Sequence, residues 1–549
     1  MALNIADLIE HAVDKTPERV ALESGDRVVT YAELDAQANR LAHHLIAQGV
    51  EPGDRVGLYS RNTIESVVSM FAIFKARAVM VNINYRYVER ELDYLLRDSN
   101  ARVVIFERRY ADKLSAVAPD LPDLIGSVMV EDGTDGPLGP EGVVRYEDAL
   151  AAQSPERDFG ERSGDDIYIV YTGGTTGHPK GVMWRQEDVW RVLGGGINFL
   201  TGEWVADEWE MSEVGGENPQ MTRYPIPPFI HGGSQWAVLQ SLFTCGKSVV
   251  YPEFDGEFAW EVIERHKVNV LFIVGDAMAR PMLDGLISGK YDTSSLYAIA
   301  SSAALFSPSL KKQYLEHLPN TMITDSIGAS ETGFSGIGMV TKDTELGSGP
   351  RVKIDESTQV LNEEGKPVVP GSGEVGMLAR SGLIPIGYHN DPVKTAETFQ
   401  VIDGVRYSIP GDYATVDEDG TVTMLGRGSV SINTGGEKVY PEEVEGALKS
   451  HAQIYDALVV GIPDDRMGTA VAAVVELREG TPPTAAELDS HVREHIAGYK
   501  VPRAVWFVDQ IKRSPAGKPD YRWAAAQTEE RQPDLSRPVS GAQAPEPTA

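Results

Sequence analysis

The segment Tyr171-Thr-Gly-Gly-Thr-Thr-Gly-His-Pro-Lys-Gly181 directly follows the apolar run Ile167 to Val170. Its residue types are those of a phosphate cradle. Glycines let backbone N–H groups approach an anion, threonine hydroxyls add donors, and Lys180 brings a compact positive charge. A nucleoside triphosphate suits such a loop. It is not a Walker A loop, because Pro179 precedes Lys180 and Gly181 follows it, where that motif needs Gly-Lys-Ser/Thr opening a helix. The pattern predicts instead a hairpin returning through Val182-Met183. Taken alone, the stretch also reads as an ordinary Gly/Thr turn.

Further groups with chemical potential recur along the chain. They are Pro227-Pro-Phe-Ile-His231-Gly-Gly233, Ser301-Ser-Ala-Ala304, Asp325-Ser-Ile-Gly-Ala-Ser-Glu331-Thr-Gly333, Gly373-Glu-Val-Gly376 with Gly387-Tyr388, and Pro410-Gly-Asp412. Beyond these lie Gly426-Arg427, Gly435-Gly-Glu-Lys-Val-Tyr-Pro441, Tyr499-Lys-Val-Pro-Arg503 and Gly517-Lys518-Pro-Asp-Tyr521. In order and spacing, over about residues 10 to 525, the chain resembles the adenylate-forming superfamily of acyl-CoA synthetases, nonribosomal-peptide adenylation domains and beetle luciferases.

The resemblance implies two half-reactions in one site, with ATP, Mg²⁺ and coenzyme A. A carboxylate attacks the α-phosphate of ATP, pyrophosphate leaves, and a thiol then displaces AMP. Positioning and electrostatics dominate such phosphoryl chemistry. By resemblance, Thr172, Gly173, Gly174, Thr175, Thr176, Gly177 and Lys180 hold the β- and γ-phosphates, Glu331 ligates Mg²⁺, and Ser330 touches the α-phosphate. A carboxylate suits that hard cation. Ser302, Ala303 and Ala304 line adenine, and Asp325, Ser326, Ile327 and Gly328 belong to the same nucleotide site. Asp412 accepts the ribose hydroxyls, a role for two acceptor oxygens, with Arg427 supporting ribose or phosphate.

Lys518 is implied as the catalytic lysine of adenylation, and His231 as a gate between acyl pocket and thiol path. Gly435, Gly436 and Lys438 border the implied pantetheine tunnel. Each also has a plainer reading: a solvated acid for Glu331, a turn for Asp412, a core histidine for His231. Three positions depart from the family pattern: Ile327 replaces an aromatic, Pro410 a threonine, and Ser429 stands at the usual hinge acid or lysine.

His491-Val-Arg-Glu-His495 matches a zinc-hydrolase spacing, but such patterns recur by chance. A Gly-x-Ser-x-Gly elbow does not occur. The acyl pocket is expected along His231 to Trp236, Val274 to Met278, Ser301 to Ala303 and Ile327 to Gly333. Small residues at Gly275-Asp276-Ala277 suit a wide, ring-bearing acid. Asp276 itself reads as the N-cap of a helix from Ala277 to Ile287. The acidic insertion Thr201 to Gln220 either shapes the pocket mouth or decorates the surface.

At finer grain, several stretches are similar to actinobacterial CoA ligases of sterol side-chain degradation. This implies a steroid side-chain carboxylic acid as substrate, with medium- or long-chain fatty acids as the alternative. An acyl-AMP ligase loading a carrier protein and a non-catalytic adenylate-binding scaffold are the competing functions. A homodimer is a family-level expectation.

These residues need a scaffold, and 549 residues exceed one core. Helical and strand patterns alternate up to about Leu425: Glu33 to Gln48 helical, Arg55 to Tyr59 a strand, Ile64 to Lys75 helical, Val79 to Asn84 a strand. This predicts an α/β fold with a large layered N-terminal domain over 1–426 and a small mobile α+β C-terminal domain over 427–525. Residues 526–549, rich in Pro, Ser, Gln and Ala, are expected to be disordered. A net charge of −31 disfavours nucleic acid or an anionic membrane as partner. Lys75 and Arg77 interrupt the longest apolar stretch, 66–85, so no uncharged run of ~18 residues remains within it, and no membrane span is expected. The single cysteine, Cys245, excludes an internal disulfide framework, and the N-terminus lacks signal-peptide order. A cytoplasmic location fits.

Overall fold

The computed structural model describes residues 4–172, 179–198, 203–304, 306–344, 351–427, 430–434, 437–464, 468–513 and 517–536. Local signals start many of its helices. Thr30 and Glu33 form a capping box at Tyr31–Ala47, and Thr63 caps Ile64–Lys75, whose side chains are almost all buried. The helices pack with a five-stranded sheet, in which Val79–Asn82, Arg55–Tyr59, Ala101–Glu107, Gly126–Val130 and Val144–Arg145 run parallel.

A second, 15-stranded sheet holds the parallel strands Thr222–Pro225, Val270–Ile273, Ala298–Ser302 and Met322–Ala329 side by side. Register aligns Phe272 with Ala300 and Ala300 with Thr324, so their C-terminal ends share one edge. Ligands gather at that edge of open α/β sheets. The segments carrying His231, Ser302 and Ser330 leave from it. Ile167–Thr172 and Lys180–Arg185 pair antiparallel, the expected hairpin, while 173–178 lie outside the described residues.

The small unit has a four-stranded sheet, Ile454–Asp464, Gly468–Leu477, Ala504–Val508 and Leu535–Ser536, with helices Pro441–Lys449, Ala485–His495 and Tyr521–Glu530. The expected tail is therefore shorter. The helix runs to Glu530, and Leu535 pairs with Val505 while packing on the small-domain core. One apolar residue in a polar segment is a weak periodic signal, but backbone pairing and burial order it. Residues 537–549 lie outside the described residues.

The insertion packs inward from its helix Glu210–Glu217. Met211 is buried, Trp209 stacks on His11 at 3.5 Å, and Arg19 donates to the carbonyls of Gly215 and Gly216, each at 2.9 Å.

Lys75, which interrupts the apolar stretch, is buried between Glu10 and Asp35, the latter at 2.8 Å. Arg162 meets Glu10 at 2.9 Å and Arg157 meets Asp35 at 3.2 Å, which closes the network. No described helix is long and apolar enough to cross a membrane. Replacing Lys75 by Met keeps the chain length but leaves two buried carboxylates short of charge. A loss of about 3 kcal/mol in unfolding free energy is expected, read by urea denaturation.

Candidate functional site

A cavity of about 1130 Å³ opens where the two domains meet. The large domain contributes Thr172, His231, Ser302, Ala303, Ser326 to Ser330 and an apolar set including Tyr168, Trp184, Trp236, Phe272 and Phe334; the small domain contributes Lys518. This brings together residues more than 300 positions apart in the chain.

Asn82 ties the wall. Its amide donates to the carbonyls of Tyr171 at 2.9 Å and Ile230 at 2.6 Å, and its oxygen accepts from the Tyr171 N–H at 2.8 Å. It thereby clamps the hairpin strand to the His231 loop. Trp184 donates from Nε1 to the Ser330 carbonyl at 2.9 Å, locating the next segment. Ala303 has φ 68°, a left-handed conformation costly for a residue with a Cβ, at the end of its strand.

His231 is the N-cap of the helix Gly232–Phe243, and its Nε2 is buried with no hydrogen-bond partner among the described residues. Burial first, and the Lys518 charge second, hold its pKa at about 3. The ring is neutral near pH 7. Glu331 is 8 % exposed; Oε1 accepts from the Tyr388 hydroxyl at 2.9 Å, and Oε2 makes no hydrogen bond to the described residues. Its backbone carbonyl accepts from Ser408 at 2.6 Å.

Other expected residues are placed differently. Asp325 does not face the cavity: it forms a buried ion pair with Lys311, because an unpaired carboxylate there would be too costly. The Lys180 ammonium pairs with Asp391, the N-cap of Pro392–Thr398, beside the cavity rather than on its lining. Asp412 opens the strand Asp412–Val416 opposite Arg427 in register. Gly173 to Gly177, Gly435, Gly436, Ser429 and the side chains of Arg427 and Lys438 lie outside the described residues. Ala304 packs beside the apolar core of the 270–323 region instead of lining the cavity.

Asp276 corrects the sequence reading most sharply. The helix is Gly275–Ser288 with Val274 as N-cap, so Asp276 sits inside the first turn. Its Oδ1 accepts from the Ser307 N–H at 2.7 Å, and its Oδ2 meets Lys449 of the small domain at 2.9 Å, both residues buried. Ala277 is small for a related reason. Gly517 of the small domain, at φ 69°, lies against it, and a Cβ there would come within 2.8 Å of the Ala277 Cβ. Of Val274 to Met278, only Val274 lines the cavity, and no described residue of 203–220 does.

Glu442 was not singled out from sequence. Burial, then Glu445, pushes its carboxyl up to about 8, and it packs against Gly426 beside Asp412. The histidines of the zinc-like motif are otherwise engaged: His491 Nε2 contacts Ser450 Oγ at 2.8 Å, and no cluster of potential metal ligands occurs among the described residues.

The AMP-binding enzyme family model matches residues 9–383, and the AMP-binding enzyme C-terminal domain model matches 443–518. The chain is 65% identical over 534 residues, 96% of each chain, to a 3-oxocholest-4-en-26-oate–CoA ligase of Rhodococcus rhodochrous. It is 60% identical over 535 residues, 97% of this chain and 98% of the other, to a medium/long-chain-fatty-acid–CoA/3-oxocholest-4-en-26-oate–CoA ligase of Mycobacterium tuberculosis. The crystal structure of the anthranilate CoA ligase AuaEII with anthranoyl-AMP superposes with TM-score 0.83 at 24% identity, covering 96% of this chain and 97% of that one, a likeness of fold.

The His231 environment has a direct signature. A group whose folded pKa is depressed from 6.5 to about 3 binds no proton between pH 7 and 5, whereas the unfolded chain does. Native stability from this group is complete above pH 6.5 and declines as pH falls through that value towards 3. Nitrogen-15 histidine NMR should show the His231 ring neutral throughout pH 5 to 8; a midpoint near 6.5 contradicts the buried setting.

Proposed function

The chain belongs to the AMP-binding enzyme family, and from that premise we propose that it is an ATP-dependent acid–CoA ligase acting on a steroid side-chain carboxylic acid. The carrying observation is the shared cavity: Lys518 of the small domain and His231 of the large domain line the same space, beside an apolar compartment, and the lysine charge acts on the ring. AMP-forming acyl-CoA ligation uses ATP, Mg²⁺ and coenzyme A.

In the first half-reaction a substrate carboxylate oxygen bonds to the α-phosphorus, and the bond to the pyrophosphate oxygen breaks. Two anionic groups must approach, so the Lys518 ammonium offsets their repulsion. Ser330 borders the same phosphate, and Ser302 with Ala303 offers backbone groups to the base. Asp412 takes the ribose hydroxyls, flanked by Arg427. Glu331 fits Mg²⁺ and would hold it, since Tyr388 orients one carboxylate oxygen and leaves the other available to a hard cation. When bound, that ion neutralises phosphate charge. Lys180 reaches the β- and γ-phosphates by exchanging Asp391 for them. In the second half-reaction the thiol gives up its proton to solvent, its sulfur bonds to the acyl carbon, and AMP leaves as the bond from that carbon to the phosphate oxygen breaks. His231, kept neutral, orients the acyl group without adding charge.

The small domain is taken to begin at 427, with its rotation admitting the thiol along Gly435-Gly436 and Lys438. Medium- and long-chain fatty acids are a second substrate class, supported by the apolar lining and by the name of the 60% identical relative. A homodimer and a cytoplasmic location complete the reading.

Incubation with ATP, Mg²⁺ and CoA across steroid side-chain and fatty acids, with AMP and thioester read together by mass spectrometry, tests it. Thioester from steroid acids is expected; thioester from fatty acids alone selects the second class, AMP without thioester selects carrier loading, and no product selects a scaffold. Lys518→Ala should slow acyl-AMP formation by about 10²-fold or more and spare thioester formation from supplied acyl-AMP. Equal loss of both steps overturns the assignment.

A further inference from the structure

The helix Gly232–Phe243 runs along the cavity, and Gly233, Trp236, Ala237 and Gln240 line it. Spacings of three and four residues put them on one helical face. His231, the N-cap, marks the reacting end because the Lys518 charge acts on it. Gln240 is nine residues further on, about 13 Å along the axis at ~1.5 Å per residue. An acyl group whose carboxylate is held at Lys518 therefore extends along this face towards Gln240.

The two glutamines of the helix differ. Gln235 is buried and fully engaged: its Nε2 donates to the Phe229 carbonyl at 2.6 Å, and its Oε1 accepts from the Tyr168 hydroxyl at 2.6 Å. The Gln240 carboxamide has no hydrogen-bond partner among the described residues and opens onto the cavity. Its neighbour across the wall is Gly195, in a left-handed conformation at φ 93°, where a Cβ would lie 3.3 Å from Gln240 Nε2. A side chain at 195 would therefore crowd the amide. An amide left unpaired beside apolar walls is unfavourable, and a ligand oxygen that pairs with it recovers that loss.

Resting on the ligase reading above, we propose that Gln240 is a specificity-determining residue: its carboxamide donates a hydrogen bond to an oxygen at the end of the acyl group remote from the carboxylate, such as a ring ketone. The preferred acid then carries a carboxylate at one end and a keto acceptor at the other, joined by an apolar body. A plain fatty acid fills the same compartment without satisfying the amide. The discrimination resides in binding, since the remote oxygen takes no part in bond making.

The test compares kcat and KM for a keto steroid side-chain acid and the same acid lacking the ketone, using the full-length enzyme, Gln240→Met and Gln240→Leu. Wild type should favour the keto acid by about tenfold or more in kcat/KM, mainly through KM. Both variants should lose that preference, with kcat/KM falling on the keto acid more than on the deoxo acid. Absence of preference in the wild type, or equal losses on both acids in the variants, overturns the proposal. If neither steroid acid is ligated but fatty acids are, the steroid reading fails, and the same comparison on a long-chain fatty acid with and without a remote ketone decides Gln240 separately.

Discussion

The buried contact between Asp276 and Lys449 sets where the small domain sits, and the shared cavity depends on it. One carboxylate does two tasks. Its other oxygen holds the Ser307 N–H, fixing the start of the next helix. Gly517 then rests on Ala277, and the residue after it, Lys518, enters the cavity. Removing either charge would leave the other unpaired in a dry interface, which is why such pairs impose geometry more than they add stability. Arg280 stacked on Tyr455 and Arg478 near Asp284 continue the same interface.

The large domain supplies the complementary constraint. Parallel strands with matched register end together, so loops distant in sequence converge on one edge. Asn82 adds a clamp that no strand pairing provides, holding the Tyr171 strand to the Ile230 carbonyl. The cavity then inherits two characters: peptide groups and small residues near the hairpin, aromatic and aliphatic walls along the helix Gly232–Phe243.

Electrostatics follow from burial rather than from net charge. The chain carries 81 acidic against 50 basic residues, yet the cavity lining includes the cation Lys518, while Lys180 lies off the lining and is paired with Asp391. His231 is held neutral by desolvation, and Glu442 is pushed up to about 8 beside Glu445 and Asp412. With so acidic a chain, a long-range field does not favour an anionic ligand, so local donors would have to receive it.

Helices and strands with strong periodicity were legible from the residues alone. Arg55–Tyr59 and Ile64–Lys75 occur with the expected bounds, and the hairpin at Lys180 follows from its Pro-Lys-Gly context. The ordered motifs likewise determined the family and the candidate chemistry of His231, Glu331 and Lys518, because glycines, hydroxyls and charges at fixed spacing have few other uses. What only the tertiary structure decided concerns partners. Asp325 is consumed by Lys311, Asp276 joins two domains instead of capping a helix, and Gln240 faces a cavity while Gln235, five residues earlier, is spent on the core. The reason is physical: a side chain's type states which bonds it can make, but burial and long-range packing determine which groups are within reach to make them.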